Sequence, residues 1–295
     1  MKGTGAFPSF TSSETALSGK KRSLVQKPIS MRSEVLRELE RTSYSFVDGT
    51  AMCRELESSG SLGDWEEFSA SWSDLPTDAY MAGGEKYRQR RYEVLHTDSV
   101  SRAITRQPPE AHHQSAAYNC LNGGVKRWYL PFRAALAQGP SFCTILKAAR
   151  DIFEALSPVR AWQIEAHQFR IVTTGNENGE PAPEGIHRDG VNFALVMLID
   201  RVNVNGGIST IYRDQNMLSI GNSTLMRPFD SLFLVDTHVK HGVSAISAKN
   251  PRRIGTRDVL VVTFTSRQAE GGILPVPGVE AVRQSEDRFL YGGGA

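Results

Sequence analysis

Two imidazoles and a carboxylate, spread over the middle of the chain, constrain this sequence more than any other feature. His187 and Asp189 stand two residues apart in Gly185-Ile186-His187-Arg188-Asp189-Gly190, and two more histidines occur in Asp236-Thr237-His238-Val239-Lys240-His241-Gly242-Val243. Side chains alternate along an extended backbone, so His187 and Asp189 share a face. One distant imidazole then completes a two-His, one-carboxylate set, which grips one face of an octahedral ion and leaves three positions open, as in non-haem Fe(II) oxygenases. His241 suits the third place better than His238: it opens a segment that runs on through Ser244-Ala245-Ile246 as a strand, and Gly242 lets the backbone come close, whereas His238 lies in the preceding turn.

The surrounding sequence reads as a β core with helices outside it. Strand candidates are 161–173, Phe193 to Asp200, Ile208 to Tyr212 after the Asn205-Gly206-Gly207 turn, Ser231 to Val235 and Val259 to Phe264. Many short strands late in the chain argue for a β-sandwich or jelly-roll barrel. Helical spacing appears earlier. Val35, Leu36, Leu39 and then Phe46 and Val47 recur at such intervals behind Ser33 as N-cap, a short helix follows over Met52 to Leu56, and Pro140 to Leu156 is strongly amphipathic. The aromatic-dense stretch between Leu62 and His96 is expected to pack across one face of the core. We therefore expect a flexible leader over 1–32 and a single domain over 33–295. That domain divides into a mostly helical part over 33–157, a β core with the metal site over 158–267, and a C-terminal extension over 268–295.

Composition excludes several classes. With 34 Lys+Arg against 32 Asp+Glu, the net charge of +2 supplies no field to gather nucleic acid or an anionic membrane, so a small-molecule partner is expected. Cys53, Cys120 and Cys143 are odd in number and lack a C-x-x-C arrangement, which fits reduced thiols. No apolar run is long enough for a signal peptide or a membrane span, and the expected location is the cytoplasm. In Tyr87-Arg88-Gln89-Arg90-Arg91-Tyr92, an extended backbone puts Arg88 and Arg90 on one face and Arg91 on the other, so at least one can point inward toward an acid. His112 and His113 follow the loop signal Pro108-Pro109-Glu110 and read as surface histidines.

Iron oxygenases of this kind take electrons from a cosubstrate, usually 2-oxoglutarate, whose distal carboxylate needs a cation. Arg257 opens the strand after His241 and shares a face with Val259, Val261 and Thr263, and its planar fork matches a carboxylate. The combination of His167-Gln168-Phe169-Arg170, Pro183-Glu184-Gly185-Ile186-His187-Arg188-Asp189-Gly190, Arg201-Val202-Asn203-Val204-Asn205-Gly206-Gly207 and His241-Gly242-Val243 resembles the Fe(II)/2-oxoglutarate-dependent dioxygenases of the L-isoleucine 4-hydroxylase type, which include pipecolic acid hydroxylases. Leu75-Pro76-Thr77-Asp78-Ala79-Tyr80-Met81 and the Tyr87 to Tyr92 stretch extend the similarity to roughly 62–267, while residues 1–60 find no clear counterpart.

The resemblance implies a double-stranded β-helix, a cupin-like jelly roll, with Fe(II) on His187, Asp189 and His241 and 2-oxoglutarate on Arg257. It also implies O2 as co-reactant, ascorbate as a stimulant, and hydroxylation of an unactivated C–H bond in a free L-amino acid, with release of succinate and carbon dioxide. Arg170, Arg88 or Arg91 would then hold the substrate carboxylate, and Glu165 or Glu184 its ammonium group. Three other classes compete with this reading. A non-catalytic jelly-roll binding module would leave the ligand set without a task. A zinc hydrolase could use the same donors but would act without oxygen and lacks an H-E-x-x-H helix. A nucleic-acid demethylase would want a basic, aromatic-interleaved stripe.

Overall fold

The computed structural model describes Met1 and residues 30–267, except positions 82, 117, 119, 120, 122 and 176. Nearly all of the expected leader and the whole C-terminal extension lie outside the described residues, as does Cys120. In chain order the elements are α1 (Met31–Thr42), β1 (Tyr44–Val47), α2 (Gly49–Ser59), α3 (Trp65–Ala70), a 3-10 turn (Ser71–Asp74), β2 (Arg88–Thr97), β3 (Ile104–Arg106), α4 (Ala134–Ala137) and α5 (Pro140–Leu156). They continue as β4 (Trp162–Thr173), β5 (Phe193–Val202), β6 (Val204–Gly206), β7 (Ile208–Arg213), β8 (Ser219–Thr224), β9 (Ser231–Val235), β10 (Val239–Val243), β11 (Ile246–Ala248) and β12 (Gly255–Ser266).

Seven strands form the major sheet in the order β1-β9-β5-β12-β4-β2-β3, with each neighbouring pair antiparallel. A smaller sheet, β10-β7-β8, packs on it where Ile211 and Val239 bury against Ala194, Leu232 and Leu234. This is the two-sheet arrangement of a jelly roll, and helices cover the outer face.

Period-two alternation sorts the major sheet's residues between these two environments. Leu260, Val262 and Phe264 of β12, with Ile164 and Ala166 of β4, turn outward into the main core with α5. There Phe153 stacks on Phe193 at 4.7 Å and meets Phe264 edge-on at 5.1 Å. The aromatic stretch after Leu62 packs as expected: Phe68 and Trp72 are fully buried, and the Trp72 indole N–H donates to the carbonyls of Phe169 (3.1 Å) and Val259 (3.2 Å). The alternate residues Val259, Val261, Thr263, Glu165, His167, Phe169, Arg88 and Arg90 turn inward, toward a cavity between the sheets.

Two details differ from the sequence expectation. The N-cap of α1 is Ser30, whose Oγ accepts from the Ser33 N–H at 3.2 Å, so Ser33 lies inside the first turn. Phe46 and Val47 are in a strand, not a helix, because β9 offers them partners: Phe46 pairs with Leu232 and Val47 with Ser231. With β1, β2 and β3 all joining the major sheet, the segment before residue 157 is helical only in part. No described helix is long and apolar enough to cross a membrane.

Candidate active site

His241 lies on β10, and its backbone exchanges two hydrogen bonds with His187, each 2.9 Å, so 53 residues of intervening chain return to their starting point. The rings stand 4.5 Å apart between centroids. Asp189 completes the set: Oδ1 is 3.5 Å from His187 Nε2, Oδ2 is 3.8 Å from His241 Nε2, and the donor atoms of all three lie within 4.8 Å of one another. The carbonyl of Gly185, 2.9 Å from His187 Nδ1, can only accept, so Nδ1 carries a proton and Nε2 is the nitrogen at which a metal would displace one. Burial resists charge on His187, but Asp189 and Glu184 raise its pKa to about 9. Against its own burial, Asp189 is held down to about 2 by His241 and His187. This donor set fits a divalent metal with an open face.

The loop carrying Asp189 is held from below. Buried Asp236 accepts from the backbone N–H groups of Asp189 (3.0 Å), Gly190 (2.8 Å) and Val191 (3.1 Å). Gly190 has φ 79°, and a Cβ there would sit 2.5 Å from the Tyr118 ring, so glycine meets both a conformational and a steric need. Burial, with the charge of Asp189, pushes the Asp236 pKa upward against those three donors. His238 lies away from the set, 3.4 Å from Ser43 Oγ. Gly242 meets only ordinary contact at 3.4 Å, so the pairing with His187, not a crowded backbone, positions His241.

The cavity in front of these donors has a volume of about 460 Å³, within the span of small-molecule sites. Arg257 reaches it from β12 and is 2% exposed, and its Nε and Nη2 lack hydrogen-bond partners among the described residues. Burial lowers its pKa to about 10, so the guanidinium stays charged at neutral pH. Gly207, at φ 71°, lies against it, where a Cβ would approach Arg257 Nε and Cδ to 3.2 Å. Ser209 Oγ and Thr263 Oγ1 also line the cavity, buried and without hydrogen-bond partners among the described residues. These orphaned donors fit a carboxylate-bearing cosubstrate.

A second cluster of the same residue types, His112, Glu165 and His167, lines another part of the cavity. His112 is therefore not a surface residue: its Nδ1 donates to Glu165 Oε2 at 3.0 Å. Burial resists charge on Glu165, yet His112, Tyr92 and Gln163 donate to it and hold its pKa below the usual range. Arg90 Nη2 lies 2.7 Å from His167 Nδ1, and a guanidinium cannot accept. His167 Nδ1 must accept, which leaves the proton on Nε2, the atom turned toward Glu165 at 4.0 Å. Burial, then the nearby guanidiniums, hold His167 well below the usual imidazole pKa. A protonated Nε2 beside arginines does not suit a metal ligand.

Of the arginines singled out from sequence, Arg88 lines the cavity, with Nε bound to buried Asp78 at 2.8 Å. Arg91 does not, since its Nη1 donates to the Pro131 carbonyl. Nor does Arg170: it has the opposite parity to Phe169 and Ile171, and Asp258 grips its guanidinium at 2.7 and 2.6 Å. Glu165 and Glu184 both line the cavity, with Glu184 Oε1 3.5 Å from His187 Nε2. Sequence reasoning missed His112, His167, Asp236 and Arg127. Parity with Glu165 could have found His167, but nothing local marks Arg127, which a loop delivers.

Comparison with known proteins agrees with this site. The family described as 2OG-Fe dioxygenase matches residues 69–263, and the chain belongs to that family. It is an oxygenase of the Fe(II) and 2-oxoglutarate type. Across 80% of its length it is 25% identical to 3(1)-hydroxy-L-isoleucine 4-dioxygenase of Pantoea ananatis (strain AJ13355), covering 96% of that protein. A bsmA homolog from Methylobium petroleophilum PM1 superposes with a TM-score of 0.74 at 30% identity, over 85% of this chain and 97% of that one. IDO from Bacillus thuringiensis gives 0.67 at 18% identity, over 80% and 99% respectively, a likeness of fold. The resemblance read from the motifs is borne out, as is the jelly roll.

Proposed function

We propose that this oxygenase hydroxylates an unactivated C–H bond of a free L-amino acid, aliphatic such as isoleucine or leucine, or cyclic such as pipecolic acid, releasing succinate and carbon dioxide. The observation that carries the reading is one cavity in which the His187, Asp189 and His241 donors and the orphaned Arg257 guanidinium share space with buried ionic side chains. The name of the Pantoea relative, a dioxygenase of a hydroxy-isoleucine, supports the amino-acid class.

In this reading His187, Asp189 and His241 hold Fe(II), and Arg257 pairs with the distal carboxylate of 2-oxoglutarate. Ser209 and Thr263 offer hydroxyls nearby. Iron and cosubstrate supply the oxidising power, with 2-oxoglutarate decarboxylated as oxygen is consumed. The chain's own task is to orient one substrate carbon and keep water away. Val196, Leu232, Val259 and Val261 give the cavity an apolar wall for an aliphatic side chain. Glu165, with three donors on its two oxygens, retains acceptor capacity for an ammonium group. Glu184 stands beside His187 and suits that role less well.

The test is to supply anaerobically purified protein with Fe(II), ascorbate, 2-oxoglutarate and oxygen, then add amino acids singly and quantify succinate and product mass. One amino acid is expected to raise succinate well above the uncoupled background and to gain one oxygen atom. No response to any aliphatic amino acid or to pipecolate, with iron bound, would sink the reading.

A further inference from the structure

The cavity wall farthest along the major sheet from Arg257 carries more buried positive charge than the described carboxylates neutralise. Arg88, Arg90 and Arg127 are 6%, 3% and 2% exposed, and all three line the cavity. One buried carboxylate serves them: Asp78 Oδ2 is 2.8 Å from Arg88 Nε and 3.7 Å from Arg90 Nη1. Arg127 has no carboxylate within ion-pair distance among the described residues. Its Nη2 reaches only the side-chain carbonyl of Gln114, at 3.5 Å, and its Nε has no partner. Burying an unpaired guanidinium is destabilising, so a structure that keeps one leaves a place for an anion.

The surroundings fix the cations in position. Arg90 lies over the Tyr129 ring at 3.8 Å and the Phe169 ring at 4.5 Å, and its Nη2 is tied to His167. Arg127 is anchored through its backbone, which exchanges two 2.9 Å hydrogen bonds with His112. The Tyr129 hydroxyl, also buried, lacks a partner. This wall is distinct from Arg257: β2 lies two strands from β12, about 10 Å at the usual strand spacing. One small dianion held at Arg257 therefore leaves Arg127 unserved.

Resting on the amino-acid reading and deepening it, we propose that Arg127, with Arg90 beside it, is the carboxylate anchor of the substrate. Asp78 occupies Arg88 and part of Arg90, which makes Arg127 the guanidinium whose neutralisation the substrate completes. Glu165, in the same cavity, then faces the opposite charge of the zwitterion. A carboxylate here fixes one end of the substrate and turns its side chain toward the metal donors, so the anchor governs recognition.

The test compares free acids with their carboxamides on the full chain loaded with Fe(II) and 2-oxoglutarate without oxygen. The probes are the proteinogenic L-amino acids and L-pipecolate, and the readout is binding by calorimetry and thermal shift, which needs no turnover. At least one acid is expected to bind, with its carboxamide weaker by roughly ten- to hundredfold, the loss of a charged hydrogen-bonded pair. Arg127→Gln should erase most of that preference. If acid and carboxamide bind the wild-type protein equally well, the Arg127 assignment is overturned while the amino-acid reading stands. If no acid in the panel binds, both are overturned. Where Arg127→Gln fails to fold, Arg127→Met is read in its place, and an undiminished acid preference in either folded variant overturns the Arg127 assignment.

Discussion

Two clusters in one cavity, each made of two histidines and one carboxylate, have opposite chemistry. In His187, Asp189 and His241, a backbone carbonyl accepts from Nδ1 of His187 and leaves Nε2 to face Asp189. In His112, Glu165 and His167, Arg90 donates to Nδ1 of His167 and forces the proton onto Nε2. At the first cluster a metal would replace a proton shared between imidazole and carboxylate, while the second has guanidiniums behind its imidazole that would repel a cation. Residue type and proximity do not make a metal site. The hydrogen bond on the far side of each imidazole decides which nitrogen is available.

The comparison can be broken by experiment, most severely at the first cluster. His187→Ala or Asp189→Ala should abolish both Fe(II) binding and 2-oxoglutarate turnover in a folded protein, checked by metal analysis and circular dichroism. Retained iron would move the metal elsewhere. His167→Leu should leave bound Fe(II) at one per chain while raising KM for the amino acid, because Arg90 loses its acceptor. A loss of iron in that variant would make the second cluster a metal site after all.

Arg257→Gln should raise KM for 2-oxoglutarate by roughly ten- to hundredfold with iron binding intact, the cost of one charged hydrogen-bonded pair. Asp236→Ala strips the acceptor from three backbone N–H groups and should cost about 2–3 kcal/mol of unfolding free energy, read by denaturant titration.

The smallest effect concerns pH. Burial raises the Asp78 pKa, but Arg88 and Arg90 outweigh it, so the folded value lies below the ordinary aspartate range. A depressed carboxylate stabilises the fold above its unfolded pKa, and that contribution fades as pH falls through the folded value. Stability should therefore drop below about pH 4, and Asp78→Asn should flatten that part of the profile.

Much of this was legible in the chain, and for identifiable reasons. Helix α5 and strand β9 follow the expected ranges, Pro140 to Leu156 and Ser231 to Val235, because long amphipathic spacing and short apolar runs report burial directly. That Arg88 and Arg90 share one face and Arg91 takes the other follows from alternation alone, while which face turns inward does not. The same rule excludes Arg170, since Phe169 and Ile171 line the cavity and Arg170 has the other parity. The strand over Phe46 and Val47 was not legible, because its pairing with β9 depends on residues 231 and 232, far along the chain.

By itself, the sequence determined which two histidines and carboxylate make the candidate donor set, the face that His187 and Asp189 share, and the β-rich core, since these depend on residue type and local periodicity. Only the tertiary structure decided which imidazole nitrogen faces its carboxylate, that His112 is buried against Glu165, and that Arg127 comes into the cavity with no acid among the described residues to meet it. Those outcomes depend on hydrogen-bond partners and uncompensated charge brought together from distant segments, and local periodicity carries no record of either.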